Sequence, residues 1–471
     1  MKEKVFTLHW LALLALLVGL LPAQALFAQD KGMAAPGEVV AEGLNGPMGI
    51  LVDPNGDVWV VDSGLGGDEE IEGMDFSGQP VTIKYGSTAR IVKISLADGA
   101  MTDVATITSV NNGEENEGGS RLALVNGELF VTGAGWHPTV APSTAEAPIP
   151  GTGSLWRVEA DGSVSEVAPI WQLERDNNPI SAEVDTHPYG LLAAADGNLW
   201  VADAGMNALL KVDPVTGDAE IVAAFDPVPG VFPNPAYDNE MLTDAVPTGV
   251  AVADGVTYVS YLPGAPFIPG SAKVVSVAED GSVSDYATGL SMLTDLRTGP
   301  DGMLYATQLG LVTEQGPVPN SGAVIRIKAG DASEVVIPNL MFPTSIDFNA
   351  DGDAFVTVNG VGAPGSGQVV KFAGLTDMAG APVAAAMAAM APPAEETMQA
   401  APTEEAMAET TPTAETMQAA PTEEAVTAEQ TPAVMPVTGA DAGERSNAIL
   451  VVIAFLVLLT GAILFGQRQA A

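Results

Sequence analysis

Apolar and polar residues alternate in short runs along the middle of the chain, and glycine turns separate the runs. One phrase recurs: a small-residue start, an apolar run, Asp/Asn-Gly, a second apolar or aromatic run, and another small-residue turn. It reads Pro47-Met48-Gly49-Ile50 through Asn55-Gly56 to Val58-Trp59-Val60-Val61-Asp62. It returns as Pro188-Tyr189-Gly190-Leu191 through Asp196-Gly197 to Leu199-Trp200-Val201-Ala202-Asp203. Further copies centre on Asn126-Gly127, Asp254-Gly255, Asp301-Gly302 and Asp351-Gly352. A second alternating phrase follows, as in Arg90–Ile94, Leu155–Val158, Leu209–Val212, Lys273–Val277 and Val324–Ile327. Alternation punctuated by Asp-Gly is a hairpin signal. Each repeat is therefore two hairpins, a four-stranded antiparallel unit. Six such units arranged radially predict an all-β fold, a six-bladed β-propeller over residues 36–375.

The ends of the repeat array predict how the ring closes. The sixth unit stops after its third strand, Gln368–Phe372, and the lone strand Glu38–Ala41 has no hairpin partner of its own. Pairing the two removes both open edges. Strand alternation also sorts the loops by face. The Asp/Asn-Gly turns lie on one face and are tight. The extra length falls on the other face, in 63–87, 133–153, 169–186, 226–245, 262–271 and 311–321. Loops gathered on one face mark a binding face.

Beyond the repeats the pattern changes. Lys2 and Lys4 precede an apolar run, Leu11 to Leu21, followed by small residues at Ala23 to Ala28. Residues 1–28 read as a secretory signal peptide, because about 11 apolar residues are too few to span a bilayer. From Thr376 to Ser446 the chain is Ala, Pro, Thr, Glu and Met, with Glu396–Glu405 repeated at Glu415–Glu424. Few large apolar side chains and one sign of charge predict a disordered stalk over 376–446. Ala448 to Phe465 carries no charge over 18 residues, about 27 Å of helix, and predicts one C-terminal transmembrane helix with a short cytoplasmic tail at 466–471. Just before it stands Met435-Pro436-Val437-Thr438-Gly439, which resembles a sortase sorting motif with Met in place of the usual Leu. Sortase linkage and plain membrane anchoring both stay open. Either one tethers the body, through its C-terminus, to a bacterial membrane or cell wall on the outer side.

Charge and composition narrow the chemistry. The 59 acidic residues outnumber the 17 Lys and Arg, and the net charge of −42 excludes nucleic acid as a partner. No cysteine is present, so disulfides, thiolate metal sites and thiol catalysis are excluded. No Gly-x-Ser-x-Gly elbow and no phosphate-cradling Gly loop ending in Lys-Ser/Thr occurs.

The runs Pro188-Tyr189-Gly190-Leu191-Leu192, Asp196 to Gly205 and Asn207 to Pro214 resemble the ScyD/ScyE family of secreted bacterial propellers, related to NHL-type and gluconolactonase-type propellers. The resemblance covers Glu38 to Leu375. It implies a propeller fold and an exported protein, and it brings no catalytic residues.

Candidate residues follow from where the innermost strands begin. Asn45, Glu117, His187, Tyr189, Asp295 and Thr344 are placed at the channel mouth on the elaborated face, with Arg121 and Arg297 on innermost strands. Ligand contacts are expected at His187, Tyr189, Glu117 and Asp295, with Trp136 and Trp171 at the rim, whereas Trp59, Trp156 and Trp200 read as core. A single divalent cation, calcium by the hardness of its oxygen ligands, would sit at Glu117, Asn45 and Asp295, imitating gluconolactonase-type propellers. Two functions are open. One is a surface propeller that binds a glycan, small molecule or protein without catalysis. The other is a metal-assisted extracytoplasmic hydrolase, lactonase or lyase.

Overall fold

The computed structural model describes residues 37–74, 80–113, 116–136, 149–180, 184–313 and 316–391. The expected signal peptide 1–28, the sorting-like motif Met435 to Gly439, the apolar segment 448–465 and the expected tail 466–471 lie outside the described residues. Among the described residues no helix is long and apolar enough to cross a membrane.

The described chain is nearly all strand and forms a β-propeller of six sheets, each built on four antiparallel strands. Blades one to six begin with the innermost strands Pro47–Val52, Leu122–Val125, Pro188–Ala193, Pro247–Ala253, Leu293–Thr298 and Ser345–Phe348. Each of these strands lies against the next, and the sixth lies against the first. The outermost strand of blade six comes from the other end of the chain: Glu38–Leu44 pairs antiparallel with Gly367–Phe372, with Glu38 opposite Lys371 and Leu44 opposite Gly367.

The inner turns follow from the residues that make them. In blades two and four, Asn126-Gly127 and Asp254-Gly255 both adopt positive φ, so two residues suffice to reverse the chain. In blade one the turn is longer. Asp53 Oδ1 accepts from the backbone N–H of Asn55 at 2.8 Å and of Asp57 at 3.0 Å, and Gly56 takes φ +84°.

The core lies between blades. Successive residues of one strand face opposite neighbours, so both faces are buried. Val60 packs toward blade six and Val61 toward blade two. Leu209 and Leu210 divide in the same way between blades four and two, and Val324 and Ile325 between blades six and four. Innermost strands approach too closely for side chains at some positions. A Cβ on Gly49 would lie 2.3 Å from the Ser120 carbonyl, and one on Gly249 would lie 2.3 Å from the Leu296 nitrogen.

The segment from Thr376 to Ala391, expected to belong to a disordered stalk, is folded onto the propeller, and the rest of that expected stalk, 392–446, lies outside the described residues. Ala381–Pro382 pairs with the outer strand of blade five, opposite Val335 and Glu334, and a helix spans Val383–Met390. Val383 and Ala386 are buried, and Met387 and Met390 pack on the core between blades four and five. These positions are spaced as one face of a helix, which is enough apolar contact to dock an alanine-rich segment.

Candidate functional site

A column of polar side chains occupies the axis. Its centre is Arg121, fully buried, at the start of blade two's innermost strand. The guanidinium donates to the carbonyls of Ser120 at 2.8 Å and Thr344 at 2.9 Å, and also to those of Met48 and Thr294. Its Nε lies 3.2 Å from Asp295 Oδ1, and its cation rests 4.6 Å from the centre of the Tyr189 ring. Asp295 in turn accepts from the Leu296 N–H at 2.9 Å, the Ile346 N–H at 3.3 Å and the Ser345 hydroxyl. Arg297 Nε stands 3.5 Å from Asp295 Oδ2. A buried cation of this kind persists because carbonyls and a carboxylate replace its water.

Above this pair, His187 Nε2 is 3.2 Å from Glu117 Oε1, which also accepts the Gly135 N–H. The His187 ring meets Tyr189 edge-on at 5.3 Å. Burial raises the Tyr189 phenol above its ordinary value, against the lowering effect of Arg121. The predicted residues Glu117, His187, Tyr189 and Asp295 are thus brought together with Arg121 as one continuous stack. They stand inside the protein, however, and not around an open mouth. Met48, Val246, Leu262, Met292, Leu309 and Phe342 gather with Tyr189 into an apolar cluster at that level. Trp136 and Trp171 pack edge to face at 5.6 Å and are buried, Trp136 to 3% exposure, so the expected rim aromatics belong to the interior.

Two residues of the expected calcium set are committed elsewhere: Asp295 faces two guanidinium groups, and Glu117 accepts the Gly135 N–H and lies 3.2 Å from His187 Nε2. Among the described residues no group of three or more His, Asp or Glu could hold a metal.

Three features escaped the sequence reading. First, blades four, five and six are stitched to their neighbours by hydroxyls. Thr248, Thr294 and Thr344 donate to the carbonyls of Leu293, Pro343 and Pro47 at 2.7, 3.1 and 2.6 Å. These threonines occupy the ring position that Met48, Arg121 and Tyr189 fill in the other blades. Second, Asp347 is the axial partner of Arg297. Its Oδ2 accepts the Val52 N–H at 2.7 Å, and burial pushes its carboxyl up while Arg297 pulls it down. Its counterparts Leu51 and Leu192 are apolar, which is the signal that would have found it. Third, Glu174 on the helix Ile170–Asn177 is fully buried beside Asp203. Burial first, and the Asp203 charge second, push its carboxyl up to about 9. Asp203 accepts from His187 N–H at 2.8 Å, Met206 N–H at 3.0 Å and the Thr186 hydroxyl at 2.9 Å.

The elaborated face carries a hairpin, Val228–Asn234 with Glu240–Thr243. Its connecting turn is tied back by polar contacts. Asp244 accepts from the Tyr237 hydroxyl and, at 3.2 Å, from Asn207 Nδ2. Its outer part exposes Phe232 at 57%, Met241 at 50% and Val231 at 43%.

No family model matches the sequence. No curated protein matches it either. Among solved structures, virginiamycin B lyase from Staphylococcus aureus is similar at 15% identity and TM-score 0.38, over 72% of this chain and 85% of that one. A gluconolactonase from Xanthomonas campestris is similar at 11% identity and TM-score 0.36, over 72% and 99%. The aldose sugar dehydrogenase of Streptomyces coelicolor, in its PQQ-bound form, is similar at 12% identity and TM-score 0.39, over 72% and 99%. Likeness this distant transfers neither substrates nor residues.

Proposed function

We propose that this protein is an exported β-propeller, tethered outside the cell through its C-terminus, that works by binding a glycan, small molecule or protein on its elaborated face. The observation that carries the reading is the division of that face. The titratable groups at its centre are buried among one another, whereas the 228–243 hairpin exposes Phe232, Met241 and Val231 and is tied back by Asp244, Tyr237 and Asn207. Exposed apolar side chains on a rigid support are what binding hot spots are made of. The motif resemblance to secreted ScyD/ScyE propellers supports the exported habit.

A glycan and metabolite binding screen on the mature chain tests it, run beside the Phe232→Ser/Met241→Ser variant. Binding that the variant loses by tenfold or more, about 1.4 kcal/mol, supports the reading. Chelator-sensitive turnover of lactones by both proteins would instead establish the hydrolase. The tether is tested by fractionation. Under a sortase route, Thr438→Ala stays in the membrane and leaves the wall; unchanged fractionation leaves the apolar segment 448–465 as the anchor.

A further inference from the structure

A groove of about 610 Å³ lies between blades three and four, close to the Asp/Asn-Gly turns. That volume falls in the range of small-molecule pockets. Trp200 and Val256 line it, and so do Asp196, Lys211, Glu220 and Glu279. Solvent reaches these groups: Trp200 and Lys211 are half-buried, and the other four are exposed. The lining thus carries three carboxylates against one ammonium.

The other blades show what such an aromatic position takes. In blades one, five and six an aromatic residue on the second strand stands directly opposite a cation on the third: Trp59 opposite Lys93, Tyr305 opposite Arg326, Phe355 opposite Lys371. Each cation lies over its ring, at 5.1, 5.4 and 5.8 Å from the centre. Blade three repeats the pair as Trp200 opposite Lys211. Among the described residues, however, no Lys or Arg lies over the Trp200 ring. The reason is the position of the acid. Lys93 and Lys371 pair with Asp57 and Asp353, each two residues before the ring they cover. Lys211 pairs at 2.9 Å with Asp196, four residues before Trp200 and in the turn. In blade two the ring opposite Arg157, Phe130, is fully buried and has no face to offer. Trp200 is therefore an indole with its usual cation drawn aside, bordering a groove with an excess of carboxylate.

We propose that this groove is a binding site for a small organic cation, a quaternary ammonium compound whose alkylated head lies against Trp200 and Val256. Glu220 and Glu279 supply the countercharge. A quaternary head needs no hydrogen-bond acceptor and is weakly hydrated, so an indole and a valine can replace its water; a primary ammonium would lose more. This site is separate from the 228–243 hairpin and does not rest on the function proposed above.

Choline is the probe, titrated into the full chain at low ionic strength, where surface charges are least screened, and followed by ligand-observed NMR. The expected result is binding at about 5 mM or tighter. 3,3-Dimethylbutan-1-ol has the same shape without the charge and should bind at least about fivefold more weakly, the size of a cation–π contact. Val256 is exposed on the lining, so Val256→Lys brings an ammonium of the chain into the groove. It should abolish choline binding and leave the melting temperature unchanged. Trp200→Leu should also lose choline; since Trp200 packs on the core between blades three and four, Val256→Lys decides if that variant fails to fold. Glu220→Gln/Glu279→Gln should weaken binding by about threefold or more. No binding of choline, equal binding of the neutral alcohol, or undiminished binding by Val256→Lys would each overturn the proposal. The Phe232→Ser/Met241→Ser variant should bind choline as the wild type does, so failure here is distinct from failure of the elaborated face.

Discussion

Arg121 holds carbonyls from four blades and one carboxylate, so its loss is felt around the whole ring. Arg121→Met should cost about 3–5 kcal/mol in chemical denaturation, because it strands part of the Asp295 charge in the interior. A loss below about 1 kcal/mol would mean that the column has little structural weight. Glu174 gives a pH dependence. Its folded-state pKa, about 9, lies above its ordinary value, so the folded protein binds the extra proton. Stability from this group is present at low pH and falls as pH rises from the ordinary carboxylate range toward 9. Glu174→Gln should keep the acceptor that serves Asp185 N–H and Asn178 Nδ2. Its melting temperature should exceed the wild type's at pH 8 and vary less between pH 5 and 9. A wild-type melting temperature that rises over that interval alongside a parallel variant would refute the assignment.

At this scale the sequence was legible in type and misleading in exposure. Trp59 and Trp200, read as core from their equivalent positions, are half-buried. Trp59 donates to Asp53 at 3.2 Å and lies under Lys93. Trp136 and Trp171, read as rim, are buried: their rings pack on each other, the Trp136 backbone N–H donates to the Thr186 carbonyl and the Trp171 backbone N–H to that of Gly153. Loop membership predicts exposure only for loops that stand away from the body.

Among the elements, hairpins were easy to read because short apolar strands are separated by inner turns that each have a glycine. The docked helix Val383–Met390 was not, since alanine-rich composition masked a four-residue apolar stripe. Val383→Asp places a charge in the seam between blades four and five and should cost about 1–3 kcal/mol. Limited proteolysis checks it: cleavage should move from the chain beyond Ala391 into 376–390. An unchanged pattern would show that the helix contributes nothing.

For the molecule as a whole, blade number and order could be read from the repeats because strands buried on both sides keep nearly continuous apolar runs. The axial column could not be read in full. It depends on which blades carry Arg121, Arg297 and Asp347 at ring positions that are otherwise apolar or hydroxylic, and only alignment of the blades in space shows these to be neighbours. The pairing of Glu38–Leu44 with Gly367–Phe372 predicts that deleting residues 37–44 lowers the melting temperature of all six blades together and broadens the transition. Loss confined to blade six, with a sharp residual transition, would show that the other blades hold without it.

The attachment of the last described segment also sets how the molecule bears load. The chain leaves from the rim of blade five, through a two-residue strand and one short helix, whereas the N-terminal strand that completes blade six lies on a different sheet. A pull on the chain beyond Ala391 would reach Val383–Met390 first and Ala381–Pro382 next, and peel them from the rim. We expect a single-molecule pull to give a small early rupture followed by a much larger one. The first step would act as a mechanical fuse, releasing slack before force reaches the ring.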